Sequence, residues 1–209
     1  MIIAVDGPVA AGKGTLARRI AANYGLEYLD TGALYRAVGL KVLRDSLDPS
    51  DPKAALNAAL NVEDISLDDP DLRAEKTGNA ASIVAANAEV RTTLLDYQRS
   101  FAKRRPGAVL DGRDIGTVVC PDANVKLFVT ASSEVRAQRR FDELLAKGER
   151  PEFNEVLQDL HARDTRDSNR GAAPLKKADD AHLLDTSKLD IEAALQAVCH
   201  IIDSHMEKD

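Results

Sequence analysis

The 209-residue sequence has no long apolar run, since its uninterrupted hydrophobic stretches are only a few residues long. A membrane-spanning helix needs about 20 such residues. The first residues carry no basic cluster and reach an acid at Asp6, which disfavours a secretion signal. Cysteine is scarce, and Cys120 and Cys199 form no CxxC pair, so neither a disulfide framework nor a cysteine metal site is expected. These absences predict a cytoplasmic chain without membrane contact.

Strong positive charge is also missing, because the net charge is −6. This disfavours a nucleic-acid binder that works by bulk electrostatics. The negative charge is local: residues 45–71 hold eight acids and one lysine, which leaves +1 for the remaining residues. Arginine makes up 17 of the 28 basic residues, and these arginines either serve a phosphate site or solvate helices. With 44% hydrophobic and 30% charged residues, the composition is that of one globular domain.

Short apolar runs alternate with helical patterns along the chain. This alternation predicts an α/β fold in three layers, in which helices cover a parallel sheet. An apolar face at Leu34, Val38 and Val42 marks the second helix, and a weak extended piece is expected over 62–67. Strands are predicted at 1–6, 27–29, 108–110, 125–130 and 182–184, and helices at 13–24, from 31 to before Pro49, 52–60, 71–87, 88–105, 132–147, from after Pro151 to about 167, and 190–206.

The strongest local motif lies between the first predicted strand and helix. Two glycines five residues apart, followed by lysine, allow backbone N–H groups and a helix N-terminus to surround a phosphate chain. The residue after the lysine is Gly14 rather than a hydroxyl residue, so the usual pattern fails by one place. A glycine-rich turn without a ligand is the alternative. The motif comprises Gly7, Pro8, Val9, Ala10, Ala11, Gly12, Lys13, Gly14 and Thr15.

A second motif, LDTGALYR at residues 29–36, begins a helix directly after a strand. Thr31 suits the N-cap, and Tyr35 and Arg36 follow one turn later, near the loop before the helix. An arginine at this place can hold a second phosphate in bidentate fashion. The same residues also fit an ordinary capped helix with a solvated arginine.

The third motif, LDGRDIGT at residues 110–117, follows a buried strand. Ligands of open parallel sheets bind at the carboxyl ends of the strands. Asp111 could therefore hold a magnesium-bound water, and Arg113 could contact the phosphate that is moved. An aspartate that only caps a turn is the alternative.

The fourth motif, RDTRDSNR at residues 163–170, places three arginines among acids within eight residues. This composition fits either an ion-paired helix surface or a phosphate clamp. Spacing alone favours the surface.

Together the motifs resemble the bacterial-type cytidylate kinases, which are nucleoside-monophosphate kinases of the P-loop class. They run in the family's order over nearly the whole chain, and DTGALYR and DGRDIGT are more discriminating than the glycine-rich loop. The segments that carry the resemblance are GPVAAGKGT (7–15), LDTGALYR (29–36), NAAS (79–82), DGRDIGTVVCPDA (111–123), RDTRDSNR (163–170) and LDTS (184–187).

The resemblance implies transfer of the γ-phosphate of ATP to CMP or dCMP, with Mg²⁺ as cofactor. It also implies a P-loop kinase core with five parallel strands (1–30, 106–139 and 171–209), an acceptor lobe (about 31–105) and a lid (about 140–170). Members of the family often carry a small extra β-sheet in the acceptor lobe. Here residues 61–76 offer one plausible strand and no hairpin signal, so this insert is predicted to be truncated.

The resemblance further assigns roles to single residues. Residues 7–15 would hold the ATP phosphates. Thr31, Arg91 and Arg170 would read the cytosine ring, Ser82, Arg163 and Asp167 would lie near the ribose, Arg36 and Arg113 would hold the CMP phosphate, and Asp30, Tyr35 and Asp114 would complete the CMP site. Lys13, Arg113 and Arg163 would be catalytic, and Thr15 and Asp111 would bind Mg²⁺ directly or through water.

The chemistry of this reaction needs no general base, because a CMP phosphate oxygen is already anionic. Alignment and charge neutralisation are what the site must supply, so His161, His182, His200 and His205 are expected to be ordinary residues. Arg139, Arg140 and Arg150 are further lid candidates that the sequence does not rank.

Two other functions stay open: a P-loop kinase for another small acceptor, and a non-catalytic ATP-binding switch. A monomer is expected, because no exposed apolar stripe is evident.

Overall fold

The computed structural model describes residues 1–206, and its centre is one parallel sheet. Its five short strands are β1 (Ile2–Asp6), β2 (Glu27–Asp30), β3 (Ala108–Gly112), β4 (Val125–Thr130) and β5 (His182–Asp185). They lie in the order β2-β3-β1-β4-β5. Because all five run in the same direction, their carboxyl ends meet at one edge, where Asp111 pairs in register with both Val5 and Asp30.

Within residues 1–206, eight α-helices connect or flank the strands. Side chains cap several of them, as where Ser132 accepts from Val135 N and Asn87 accepts from Glu89 N, so short polar residues fix where these helices begin. The helices are α1 (Lys13–Tyr24), α2 (Thr31–Arg44), α3 (Pro52–Leu60), α4 (Glu75–Val84), α5 (Ala88–Ala102), α6 (Ser133–Ala146), α7 (Phe153–Asn169) and α8 (Ile191–Met206).

The sheet is covered on both faces, as a parallel sheet requires. On one face Ile20 of α1 and Ile202 of α8 pack with Val5 in a continuous apolar cluster. On the other face Phe101 of α5 packs against Leu110 and the segment Ile115–Val119. The predicted three-layer α/β fold with five parallel strands is confirmed. No helix of residues 1–206 is long and apolar enough to cross a membrane.

Two helical units extend beyond the three layers, and each has its own small core. Helices α2 to α5 enclose an apolar cluster that includes Leu34, Val38 and Leu94. Helices α6 and α7 form a hairpin whose facing sides bury Leu144 and Leu160. Each unit is thus held together by apolar contacts of its own, while α5 also packs on the sheet through Phe101.

The acidic region differs from its prediction. The extended piece expected over 62–67 is wrong, because Val62–Asp64 forms a 3₁₀ turn, and the described residues 61–76 contain no strand. A helix was expected from 71, but Pro70–Arg73 is a second 3₁₀ turn, and α4 begins only at Glu75. Asp64, Asp69 and Asp71 of this region pair with Lys41 or Arg44 of α2, as where Arg44 contacts Asp69 at 2.8 Å.

Candidate active site

A large cavity of about 1270 Å³ lies at the carboxyl edge of the sheet, between the α2–α5 unit and the α6–α7 hairpin. Thr15 lines it, together with Val9 and Ala10 of the glycine-rich loop. All eleven residues that the sequence assigned to an acceptor nucleotide also line this cavity, namely Asp30, Thr31, Tyr35, Arg36, Ser82, Arg91, Arg113, Asp114, Arg163, Asp167 and Arg170.

The glycine-rich loop turns tightly between β1 and α1. A Cβ at Gly7, which has φ +148°, would lie 1.9 Å from the carbonyl oxygen of Val129 in β4, so only glycine fits there. Gly12 has φ +88° and precedes α1 without a side-chain cap, and no acid lies in the first helical turn. The helix therefore presents uncapped N–H groups and the positive end of its dipole to the loop. This arrangement suits an anion.

Lys13 is the first residue of α1, and its side chain turns back over the loop. Its Nζ donates to the carbonyl oxygen of Pro8 at 2.8 Å, and the residue is 6% exposed. Burial, together with the nearby positive charge of Arg113, lowers the pKa of Lys13 to about 8. A buried ammonium with one backbone partner is stabilised when a phosphate approaches it.

The structure gives a steric reason for glycine at position 14, where the strict P-loop pattern would place a hydroxyl residue. A Cβ at Gly14 would lie 3.1 Å from Oδ2 of Asp111, so a larger residue would crowd this carboxylate. Asp111 is buried and forms no ion pair among residues 1–206, and its Oδ2 accepts only a long contact from the hydroxyl of Tyr28 at 3.4 Å. Burial raises the pKa of Asp111. A buried carboxylate without a paired cation fits a hard metal ion, held directly or through water.

Asp30 and Arg36 form an ion pair at the beginning of α2. Asp30, not Thr31 as predicted, is the N-cap: its Oδ1 accepts from Ala33 N at 3.1 Å, while its Oδ2 accepts from Arg36 Nη2 at 2.7 Å. The hydroxyl of Thr31 instead donates to the carbonyl oxygen of Asp111 at 2.8 Å. Thr31 therefore joins α2 to β3, because an aspartate one residue earlier already provides the cap.

Asp167 of α7 connects two motifs that lie far apart in the sequence. Its Oδ2 accepts from Arg113 Nε at 2.9 Å, and its Oδ1 accepts from Ser82 Oγ at 3.2 Å. Although burial lowers it, the pKa of Arg113 is raised overall by the charge of Asp167 and its hydrogen bond. The ion pair fixes the orientation of Arg113 before any ligand binds.

A second polar cluster surrounds Asp114 on the far side of the cavity. Arg91 of α5 forms a buried ion pair with Asp114 and stacks over the ring of Tyr35 at 5.3 Å. Arg170 lies beside them, with Nη2 3.7 Å from Asp114 Oδ1, and its Nε donates to Ala173 O at 2.7 Å. The Arg170 side chain is 4% exposed. Its Nη2 is buried without a hydrogen-bond partner among the described residues.

The lid candidates differ in their contacts. Arg139 donates to the carbonyl oxygen of Thr186 at 2.8 Å, so it ties α6 to the end of β5. Arg140 and Arg163 both form ion pairs with Glu75 at the start of α4. Arg150 is exposed and forms no ion pair within the described part of the chain. The sequence did not separate these arginines, whereas the structure gives each a different position.

The sequence did not single out Asp6, the last residue of β1, as a residue of the site. Its two carboxylate oxygens accept from the backbone N–H groups of Ile115 at 2.8 Å and Gly116 at 2.7 Å. Burial raises the pKa of Asp6 to about 6. Asp6 thereby fixes the segment that directly follows Arg113 and Asp114. The signal that pointed to Asp111, an aspartate at the end of a buried strand, also applies to Asp6.

A glycine-rich loop between the first strand and the first helix of a parallel sheet, with Lys13 folded over it, defines the class of P-loop nucleotide-binding proteins. The family model described as cytidylate kinase matches residues 3–204. The chain therefore belongs to the cytidylate kinase family.

Relatives agree with this assignment. A protein named cytidylate kinase from Methylocella silvestris is 56% identical over 204 residues, which cover 98% of this chain and 94% of that protein. One with the same name from Rhodopseudomonas palustris is 53% identical over 98% of this chain and 96% of its own length. The solved structure of an uncharacterised protein from Eubacterium ventriosum, at 17% identity, covers 98% of both chains with a TM-score of 0.58 and shows the same fold.

Proposed function

We propose that the protein transfers the γ-phosphate of ATP to CMP or dCMP, giving ADP and CDP or dCDP. The observation that carries this proposal concerns Arg170, which lines the cavity. Its buried Nη2 has no hydrogen-bond partner among the described residues, and its ion-pair contact with Asp114 Oδ1 is long, at 3.7 Å. A buried donor without a partner costs free energy unless a ligand supplies an acceptor. The O2 and N3 atoms of cytosine are such acceptors. A switch that only bound ATP would have no use for this second site.

The ATP end of the site is assigned to the glycine-rich loop. Backbone N–H groups of residues 7–15 and the N-terminus of α1 would surround the phosphates, and Lys13 would neutralise the β- and γ-oxygens. Asp111 and Thr15 would hold Mg²⁺, which supplies further charge neutralisation between the same phosphates. The buried and unpaired carboxylate of Asp111 supports this placement.

The acceptor end is assigned to arginines that line the cavity. Arg36 and Arg113 already lie at the carboxyl edge of the sheet, where Asp30 and Asp167 hold them in ion pairs. Both would contact the CMP phosphate, whose anionic oxygen attacks the γ-phosphorus in line and without a general base. Arg163 would approach from α7. Closure of the lid over the cavity would exclude water and so favour transfer to CMP over hydrolysis.

The two helical units support a division of the chain into working parts. We assign residues 1–30, 106–139 and 171–209 to a core, about 31–105 to an acceptor lobe and about 140–170 to a lid, with 207–209 lying outside the described residues. The separate apolar clusters of α2–α5 and of α6–α7 support rigid-body motion of the lobe and of the lid. Every assigned site residue comes from one chain, so a monomer would contain a complete site.

An acceptor panel tests the proposed reaction. With magnesium ATP at fixed concentration, CMP and dCMP are expected to give ADP in a coupled assay at rates at least about a hundredfold above those with AMP or GMP, because unmatched buried polar groups strongly disfavour a wrong base. Preference for AMP or UMP would show that the base-reading assignment is wrong. Nucleotide binding without acceptor-stimulated turnover would favour a switch.

The lowered pKa of Lys13 predicts an alkaline limit for ATP use. The ratio kcat/KM for ATP reports ionisations of the free enzyme, in which Lys13 has a pKa of about 8. The ratio is therefore expected to fall about tenfold per pH unit above pH 8, while kcat falls at higher pH because bound phosphates stabilise the ammonium. In Lys13→Arg this limb is expected to be absent from the remaining activity. A parent profile that is flat to pH 10 would contradict the lowered pKa of Lys13.

A further inference from the structure

Helices α4 and α7 meet along a polar seam that joins the acceptor lobe to the lid. On both helices the contacting side chains recur at three- and four-residue spacing, which places them on one face. Arg166 bridges the middle of the seam, since its Nε donates to Ser82 Oγ at 3.2 Å and its Nη2 to Asn79 Oδ1 at 3.3 Å. The side chains that form the seam are Glu75, Asn79 and Ser82 of α4, and Arg163, Arg166 and Asp167 of α7.

Glu75 occupies the end of this seam, where α6 also arrives. Its Oε1 pairs with Arg163 of α7, and its Oε2 pairs with Arg140 of α6, whose Nε lies at 3.1 Å. The side chains are 30%, 10% and 16% exposed for Glu75, Arg163 and Arg140. One carboxylate of the acceptor lobe thus binds both helices of the hairpin. It lies at the N-terminus of α4, where the helix dipole favours a negative charge.

The two arginines differ in the donors they have left. The Nε and Nη2 of Arg140 contact Glu75, and its Nη1 contacts Glu143 at 2.8 Å, so all of its nitrogens face carboxylates. Arg163 donates through Nε to Asn79 at 2.9 Å and through Nη2 to Glu75, but its Nη1 has no hydrogen-bond partner among residues 1–206. Arg140 therefore acts as an anchor, while Arg163 retains a donor beside the cavity it lines.

We propose that Glu75 is a positioning residue that latches the α6–α7 hairpin over the acceptor lobe and holds Arg163 ready for the acceptor nucleotide. The inference rests on the proposed function, because that function supplies the acceptor nucleotide that Arg163 would bind. The latch acts before CMP binds. It therefore raises the fraction of nucleotide-free enzyme that is closed and able to bind the acceptor.

The size of the effect follows from this fraction. The apparent affinity for a ligand falls in proportion to the population of the competent state. If loss of Glu75 lowers the closed fraction about tenfold, the KM for CMP rises about tenfold. Saturating CMP would pull the hairpin closed again, so kcat is expected to change less than about threefold. If Glu75 had only a structural role, its substitution would lower thermal stability without raising the KM for CMP more than it changes kcat.

The test combines a distance measurement with kinetics on the full chain. Spin labels are placed on the exposed Asn57→Cys in α3 and Gln158→Cys in α7, in a Cys199→Ser background, since Cys120 is buried. Pulsed electron paramagnetic resonance then compares the nucleotide-free parent with Glu75→Gln. The variant is expected to show a longer and broader distance distribution, which CMP with a non-hydrolysable ATP analogue returns to the parent's.

Two other variants control the experiment. Asp142→Asn also removes a carboxylate from α6, but within residues 1–206 Asp142 accepts a hydrogen bond only from Gln138 of the same helix and does not line the cavity. It is therefore expected to leave the distance distribution unchanged and the KM for CMP within about twofold. Arg140→Gln breaks the latch from the other side and is expected to reproduce the effects of Glu75→Gln. It also keeps the inference testable if melting curves show that Glu75→Gln does not fold.

The outcomes separate the latch from the proposed function. Parent-like distances in both Glu75→Gln and Arg140→Gln would overturn the latch, as would a defect confined to kcat. If the parent itself does not phosphorylate CMP, the proposed function fails, while the nucleotide-free distances still report whether Glu75 holds the hairpin.

Discussion

Arg113→Ala is expected to lower kcat with CMP about a thousandfold, with little change in the KM for ATP. The guanidinium lies at the carboxyl end of β3 and is held by Asp167 at 2.9 Å, so it is oriented before the substrates arrive. In the proposed reaction two anions approach each other, and a preorganised positive charge is worth most where charge develops in the transition state. Loss of one such donor costs about 10²–10³ in kcat. Steady-state kinetics at saturating ATP measures the effect.

A matched substitution distinguishes this effect from the loss of any arginine. Arg19→Ala also removes an ion-paired arginine, but Arg19 lies on α1 against Glu192 of α8, away from the cavity. It is expected to keep kcat within about twofold of the parent. Turnover of Arg113→Ala within threefold of the parent would remove Arg113 from the catalytic assignment.

The strands and most helices could be predicted because their patterns are local. Leu34, Val38 and Val42 recur at helical spacing, and all three are buried on α2. The failed prediction at 62–67 has a physical cause: the β-branched Val62 and Ile65 suit an extended segment, but a strand also needs a hydrogen-bonding partner, and the acceptor lobe offers none in the described structure. The π-helical turn at Ile115–Val119 was not predicted either, because it depends on a residue far away in the sequence. Asp6, 109 residues before Ile115, supplies acceptors for the N–H groups at the start of this turn.

The residues of the candidate site could be predicted, but the contacts between their side chains could not. The resemblance named eleven residues that do line one cavity. It did not indicate that Asp167 orients Arg113, or that Glu75 joins Arg140 and Arg163. Contacts between residues 54 to 88 positions apart depend on how the helices pack, and one sequence carries no local signal for them. Gly14 is the reverse case: it departed from the expected motif, and the nearby carboxylate of Asp111 explains it.

Arg170→Met is expected to raise the KM for CMP about a hundredfold and to leave the KM for ATP within about twofold. The substitution keeps much of the side-chain volume but removes the unpartnered Nη2, and a hydrogen bond to a charged donor contributes about 1.5–3 kcal/mol. Loss of a base-reading donor also lowers discrimination, so the preference for CMP over UMP should shrink in the same assays. Arg150→Met, an exposed arginine in the turn of the hairpin, is the control and should behave as the parent. Equal losses of affinity for CMP and ATP would contradict the base-reading role, because they would indicate damage to the whole site rather than the loss of one donor.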